Sequence, residues 1–261
     1  MKYHPIYTCF ADAIKRVGVD PTKVCVVSDF LCQPEITDYL GVDTFHIHRG
    51  RAIAFGTGLK LGNPKLKVVT IVGDLLTLGG NHFMHAARRN MDLVVICVNN
   101  FIYPKIANEH VPIDGSTFSL YATFERPPNI PHVAKSCGAV YVARWTALHK
   151  TELTESMAEA LQKTGFSAIE VLLPGTGYFP GIKELEWASE LLKFYHMHSV
   201  KKNGEDTRNV EITSDKQIIV GKFFVHERPT FIDSYNSRLT QVLGDKFKPY
   251  GVIRVSSRGN L

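Results

Sequence analysis

Short runs of apolar, mostly β-branched residues constrain the fold of this sequence more than any other feature. The clearest run is Leu66–Val72, and comparable runs occur at Lys23–Ser28, Leu93–Val98 and Ser167–Leu173. Strands without polar alternation are buried on both faces, which is typical of parallel sheets covered by helices. The sequence therefore predicts an α/β fold with a mostly parallel sheet and helices on both faces. Ligands in such folds bind at the carboxyl ends of the strands, so the segments that follow the strands are the first candidates for chemistry.

The segments between these strands carry helical spacing and helix-ending residues. Because the alternation ends after Pro174, we divide the chain into an α/β domain at 1–180 and a C-terminal extension at 181–261. The extension is expected to pack on the domain or on a partner subunit. The stretch Asn99–Pro131, rich in Pro, Asn and Gly, is predicted to be a functional loop or to cover a partner. The remaining predicted elements are helices at Ile6–Val17, Gly50–Leu61, Asn81–Asn90, Val133–Cys137, Glu152–Lys163, Glu184–His196 and Phe231–Leu243, and strands at Ala139–Ala143 and Gln217–Val225.

Composition excludes several classes of function. The 30 basic and 25 acidic residues give a net charge of +5 that is spread along the chain and does not indicate nucleic-acid binding. No apolar run reaches the about 18–20 residues of a membrane-spanning helix. The N-terminus lacks the apolar core of a signal peptide, so a soluble cytoplasmic protein is expected. The 5 cysteines include no C-x-x-C pair, and Cys25 and Cys97 lie in apolar runs and are predicted to be buried thiols.

An ordered set of short motifs carries a family resemblance. Gly79–Asn90 is followed, at the spacing that the family shows, by Asn-Asn-Phe-Ile-Tyr at 99–103, which is similar to an N-N-x-I-Y motif. The other matching blocks are Arg49–Ala52, Lys60–Pro64, Gly138–Arg144, Gly221–Phe223 and Glu227–Thr230. Together they cover nearly the whole chain, and they resemble the β subunit of the 2-oxoacid:ferredoxin oxidoreductases. The fold that this resemblance implies is the thiamine-diphosphate-binding fold.

The resemblance implies cofactors and partners. In this family the β subunit holds thiamine diphosphate and Mg²⁺ against an α subunit, which supplies the activating glutamate. The cofactor attacks a 2-oxoacid, CO₂ leaves, electrons pass through iron–sulfur clusters to ferredoxin, and coenzyme A receives the acyl group. The protein supplies position and electrostatics to a cofactor that acts as the electron sink. The expected assembly is therefore a hetero-oligomer with an α subunit that works with ferredoxin and coenzyme A.

The matching positions also assign a candidate site, without a catalytic residue of this chain. A diphosphate needs backbone N–H groups at a strand-to-helix turn, where glycines allow close approach. Mg²⁺ takes oxygen ligands, and the resemblance assigns it the Asp74 carboxylate, the Asn100 side chain and the Ile102 carbonyl. Taken without the resemblance, Asn99 and Asn100 favour a simple turn after the preceding strand. The candidate cofactor-binding residues are Gly50, Arg51, Gly73, Asp74, Leu75, Asn100, Ile102 and Tyr103.

Two departures from the family pattern fall on the predicted cofactor site. An ungapped alignment places Val72 where the family has its metal-binding aspartate, whereas a short deletion makes Asp74 that ligand. Pro104 stands where the family has glycine, and proline has no N–H to offer to a phosphate. Arg49 replaces a histidine that faces the cofactor in relatives, and it adds positive charge beside the predicted diphosphate position.

A third departure concerns the cluster cysteines. The family's N-terminal C-P-x-C-G would precede His4, Gly175 stands at the last cysteine position, and Cys32 is the single counterpart. An iron–sulfur cluster needs a full set of thiolates, so the chain is expected to hold no cluster of its own. Three functions remain open: a thiamine-diphosphate-binding β subunit that converts a 2-oxoacid to acyl-CoA, a non-catalytic or repurposed paralogue that acts as a structural subunit, and a decarboxylase that works without ferredoxin.

Overall fold

The computed structural model describes residues 5–29, 40–73, 75–99, 128–173, 192–212 and 217–250. Its centre is a sheet of 8 strands. The strands are β1 Val24–Ser28, β2 Asp43–His46, β3 Lys67–Val72, β4 Leu93–Asn99, β5 Tyr141–Thr146, β6 Ser167–Leu172, β7 Ser199–Lys201 and β8 Ile218–Val225. The helices are α1 Pro5–Val17, α2 Ala52–Gly62, α3 Leu75–Leu78, α4 Gly80–Arg88, α5 Ile130–Ser136, α6 Lys150–Gln162 and α7 Phe231–Leu243, and residues 192–198 are also helical.

The strand order β2-β1-β3-β4-β6-β5-β8-β7 defines where a ligand crevice opens. Neighbouring strands are parallel except for β5 and β8, which pair antiparallel, so the predicted α/β fold with a mostly parallel sheet is confirmed. In the sheet, β2 pairs with one side of β1 and β3 pairs with the other side. Such a reversal of strand order opens a crevice at the carboxyl ends of the two strands on either side of it.

Helices cover both faces of the sheet, and the strand side chains alternate between two cores. Phe10 of α1 belongs to the core on one face, and Phe83 of α4 belongs to the core on the other. Within β4, Ile96 points into the first core and Cys97 into the second. Burying an aliphatic or aromatic side chain stabilises the fold by about 1.5–3 kcal/mol, which is why strands in this position are apolar throughout. Cys25 and Cys97 are buried free thiols, as predicted.

Several elements differ from the sequence prediction. The edge strand β2 was not predicted, because its residues are mostly exposed and carry no apolar run. Strand β5 begins later than the predicted Ala139–Ala143 and continues through Arg144, whose charge is paired inside the sheet with Glu170. The extension contributes β7 and β8 to the same sheet. Much of the predicted Asn99–Pro131 loop and of the predicted Glu184–His196 helix lies outside the described residues.

Membrane insertion finds no support in the helices that the structure describes. None of them is long and apolar enough to cross a bilayer.

Candidate functional site

A buried carboxylate lies at the carboxyl ends of β1 and β3. Asp29 directly follows β1 and is 5% exposed, and its backbone N–H donates to the Ile71 carbonyl at 3.2 Å. Its side-chain Oδ2 accepts from the Gly50 N–H at 2.7 Å, and its Oδ1 accepts from the Gly73 N–H at 3.3 Å. One side chain thus joins the end of β1, the turn before α2 and the end of β3. We call this region, formed by Asp29, Gly50 and Gly73, the carboxyl edge.

Opposing electrostatic effects act on the Asp29 carboxyl. Burial disfavours the ionised form and raises the pKa of Asp29 above its ordinary value, although the two amide donors and Arg49 favour ionisation. A buried carboxyl with a perturbed pKa in a crevice is often part of a functional site. Sequence analysis missed Asp29. The available signal was an acidic residue directly after a buried strand, at the end of the strand where ligands were expected.

Backbone atoms make the contact between the turn before α2 and helix α3. Gly50 has a φ of +73°, and a Cβ atom there would lie 2.6 Å from the Leu78 carbonyl oxygen. Arg51 Nη1 donates to the same oxygen at 3.3 Å and to the Gly50 carbonyl at 3.4 Å. At Gly79 a Cβ atom would lie 3.3 Å from the Gly50 carbonyl oxygen. The loop after β3 and the turn before α2 therefore approach more closely than side chains would allow.

The structure brings part of the predicted site together. Gly50, Arg51 and Gly73 lie at the carboxyl edge, and Leu75 follows in α3, where its side chain is 3% exposed and packs in the core. Among the described residues, no group of three or more His, Cys, Asp or Glu side chains is placed to hold a metal ion. The other predicted residues, which include all the predicted metal ligands, lie outside the described residues and stay predictions: Asp74, Asn100, Ile102 and Tyr103.

A second buried polar network lies where β4, β6 and β5 run side by side. Glu170 accepts from Arg144 Nε at 2.6 Å and from Asn99 Nδ2 at 2.8 Å. Arg144 also donates to the Val210 carbonyl, and the exposed fractions of Arg144 and Glu170 are 0% and 1%. Asn99 is the last residue of β4 and pairs with β6, so it belongs to the sheet and not to a simple turn. This network fixes the backbone at the residue before Asn100.

The described part of the carboxyl edge fits a negatively charged cofactor in its chemistry. Gly73 leaves the backbone after β3 without side-chain cover, and the exposed residues Arg49 and Arg51 place positive charge beside the turn. The N–H groups of Gly50 and Gly73 are themselves bound to Asp29, so a diphosphate would use other donors of this edge. These residues suit the cofactor's charge and its need for close backbone approach.

Comparisons with known proteins agree with this architecture. The sequence profile of the family "Thiamine pyrophosphate enzyme, C-terminal TPP binding domain" matches residues 24–171, from β1 into β6. The 2-oxoglutarate synthase subunit KorB of Methanocaldococcus jannaschii is 33% identical over 91% of this chain and 90% of the relative. The 2-oxoacid:ferredoxin oxidoreductase subunit beta of a Sulfolobus species is 32% identical over 87% of this chain and 79% of the relative.

A solved structure shows the same fold. The 2-oxoglutarate:ferredoxin oxidoreductase from Magnetococcus marinus, with 2-oxoglutarate, coenzyme A and succinyl-CoA bound, matches with a TM-score of 0.72 and 20% identity. The match covers 92% of this chain and 85% of that chain. The thiamine-diphosphate-binding fold that the sequence motifs predicted is therefore confirmed.

Proposed function

This chain belongs to the β subunits of the 2-oxoacid:ferredoxin oxidoreductases, and we propose that it binds thiamine diphosphate with Mg²⁺ in a complex that oxidatively decarboxylates a 2-oxoacid to acyl-CoA. The observation that carries this proposal is the convergence of Gly50 and Gly73 on one edge, where the strand order reverses. The proposed partners are an α subunit within the complex, ferredoxin as electron acceptor and coenzyme A as acyl acceptor.

Each part of the proposed site has a separate task. When bound, thiamine diphosphate supplies the electron sink for the negative charge left when CO₂ departs. Gly73 would let a diphosphate approach the backbone, and Arg51 adds positive charge there. Asp74, the Asn100 side chain and the Ile102 carbonyl would hold Mg²⁺, which prefers oxygen ligands.

We also propose that the complex carries its clusters on other subunits. The described cysteines Cys9, Cys25 and Cys97 are buried free thiols within the two cores, and Cys137 is partly buried. Burial raises the pKa of Cys25 to about 11, which disfavours the thiolate that binds iron. Electrons would therefore leave the cofactor for clusters on a neighbouring subunit before they reach ferredoxin.

Calorimetric titration of the assembled complex with thiamine diphosphate tests this function. We expect saturable binding that requires Mg²⁺ and is lost in Asp74→Ala, because that variant removes the proposed anionic metal ligand. Asp245→Ala is the control, since Asp245 is an exposed carboxylate in the extension and should leave binding unchanged. Absence of binding by the wild-type complex at millimolar cofactor and Mg²⁺ would contradict the proposal.

A structural subunit without thiamine chemistry is the second candidate, and the contacts of Asp29 favour it. An internal carboxylate already occupies the N–H groups of Gly50 and Gly73 and places negative charge where a diphosphate is expected. Under this alternative the complex assembles with its partner subunit, yet the wild-type chain binds no cofactor. The same titration separates the two functions.

A further inference from the structure

Asp29 joins segments that are distant in sequence. Its two carboxylate oxygens bind the Gly50 N–H and the Gly73 N–H, which are 21 and 44 residues away along the chain. The Gly50 turn continues into Arg51, and the Gly73 loop leads directly to Asp74. These two segments carry the proposed contacts to the diphosphate and to Mg²⁺. Their relative position therefore depends on the Asp29 bridge.

The chemistry of this bridge matches a carboxylate. Two backbone donors need two acceptor oxygens, and an ionised carboxylate accepts on both. Asparagine offers one acceptor oxygen, and its NH₂ group would face an N–H donor. Serine is too short to span two segments and has a single oxygen. Asp29 is thus the side chain that holds both amides at once, at the cost of a buried charge.

A neutral side chain bridges segments at the opposite end of the sheet, in a region we call the amino edge (Asn90, Phe166 and Arg228). Asn90 is 1% exposed, and its Nδ2 donates to the Arg228 and Pro229 carbonyls at 2.9 and 3.0 Å. Its Oδ1 accepts from the Phe166 N–H at 2.8 Å. Buried bridging in this fold therefore does not require charge. The charged bridge lies where the cofactor is proposed to bind.

We propose that Asp29 is a positioning residue that holds Gly73, the residue before Asp74, against the Gly50–Arg51 turn before the cofactor binds. This inference rests on the proposed function. With the bridge in place, the cofactor meets segments that are already arranged. Without it, binding must order the loop after β3, and the entropy of that ordering lowers affinity.

Variants of Asp29 in the assembled complex test the inference against a matched change at the amino edge. The variants are Asp29→Asn, Asp29→Ala and, as control, Asn90→Ala. Calorimetry gives the Kd for thiamine diphosphate with Mg²⁺, and hydrogen exchange without cofactor reports on the Gly50 and Gly73 amides. We expect about tenfold weaker binding for Asp29→Ala, because both hydrogen bonds to the carboxylate are lost and binding must then order the released segments. Asp29→Asn should retain one bond and lose less affinity.

The two readouts separate positioning from general stability. In Asp29→Ala both the Gly50 and the Gly73 amides should exchange faster, and in Asp29→Asn the amide that loses its acceptor should do so, whereas Asn90→Ala should lower the unfolding midpoint and leave the Kd unchanged. Equal Kd values for wild type and both Asp29 variants would overturn the inference, as would an equal loss of affinity in Asn90→Ala. If Asp29→Ala does not fold, Asp29→Asn alone decides.

Failure of the proposed function has a different signature. If the wild-type complex binds no thiamine diphosphate, the proposed function fails for every variant alike. Hydrogen exchange then still tests the bridge in the protein without cofactor. Unchanged exchange at both Gly50 and Gly73 in Asp29→Asn would overturn the positioning role, and faster exchange at either amide would support it.

Discussion

The amino edge and the carboxyl edge each contain a buried side chain that joins three segments, Asn90 and Asp29, and these two side chains differ in charge. Asn90 connects the turn after α4, the start of β6 and the segment before α7, with a left-handed φ of +50° that asparagine tolerates well. All polar atoms of its neutral side chain are paired. Asp29 connects three segments in the same manner, and its charge is stabilised by backbone amides, including those of Gly50 and Gly73, and by Arg49.

We interpret this difference as follows: the Asn90 contacts serve stability, and the Asp29 contacts serve the proposed cofactor site. A neutral, fully paired amide loses little on burial, whereas hydrogen bonds replace the hydration of a carboxylate only in part. Proteins tolerate such local costs mainly at functional positions. We therefore expect changes at the amino edge to alter stability alone, and changes at the carboxyl edge to alter cofactor affinity as well.

The largest effect on stability is expected where a buried charge loses its partner. Glu170→Ala removes the acceptor of both Arg144 and Asn99, and the unpaired guanidinium should lower the unfolding free energy by about 3–5 kcal/mol. Urea denaturation of the complex measures this change. Glu155→Ala is the control, because Glu155 forms an exposed ion pair with Arg16 at 3.4 Å whose loss costs about 0–1 kcal/mol. Similar losses would contradict the view that buried charge in this sheet must be compensated.

Asn90→Ala tests the amino edge. The change leaves the Phe166 N–H and two carbonyls without partners, and we expect the unfolding free energy to fall by about 3 kcal/mol. Asn90→Gly loses the same hydrogen bonds but has no Cβ strain at the positive φ, so its loss should be smaller than that of Asn90→Ala by about 1–2 kcal/mol. Thermal denaturation of both variants measures the two losses in unfolding free energy. A fall in cofactor affinity with an unchanged unfolding midpoint would reverse the comparison between the two edges.

Gly50→Ala tests the close approach at the carboxyl edge. The new Cβ atom would collide with the Leu78 carbonyl, and alanine would be strained by the left-handed backbone conformation of residue 50. We therefore expect a loss of about 2 kcal/mol in stability and weaker cofactor binding. Gly58→Ala in α2 is the control, since no atom lies within 4 Å of its Cβ position, and it should gain up to about 1 kcal/mol. If chemical denaturation shows the same unfolding free energy for Gly50→Ala and Gly58→Ala, the close approach of Gly50 to Leu78 is not needed for stability.

The smallest effect concerns pH. Burial raises the pKa of Asp29, so the folded protein binds its proton more tightly than the unfolded chain. Stability should therefore fall as pH rises from the unfolded value of about 3.9 through the raised folded pKa, and level off above it. Compared with Asp29→Asn, the wild type should gain stability as the pH is lowered from neutral. Denaturation curves across that range that run parallel for the two proteins would contradict a buried, ionised Asp29.

The sequence predicted the features that depend on local pattern. The apolar run of β3 identified a strand buried on both faces, and the predicted Gly50–Leu61 helix is present as α2, although α2 begins at Ala52 and Gly50 lies in the turn before it. The short motif 99–103 identified the end of β4. Each of these signals is written in adjacent residues, so a single sequence is enough to interpret it.

The features that the sequence left out depend on distant contacts. Asp29 resembles an ordinary loop aspartate until folding brings Gly50 and Gly73 to its two oxygens. The predicted strand ended at Ala143, whereas the strand in the structure continues through Arg144, whose partner Glu170 is 26 residues away along the chain. The edge strand β2 pairs only with β1 and shows no apolar pattern. Charged residues that pair with distant partners leave a weak signal in the local sequence, and so do short edge strands.

Hydrogen exchange of the assembled complex, measured with and without thiamine diphosphate and Mg²⁺, tests the central claim most directly. The carboxyl edge should be the binding surface, so the segments at Gly50–Arg51 and from Gly73 into α3 should exchange more slowly when the cofactor is present. The Phe166 amide at the amino edge should be unaffected. Unchanged exchange throughout both segments, or protection confined to the amino edge, would contradict the account.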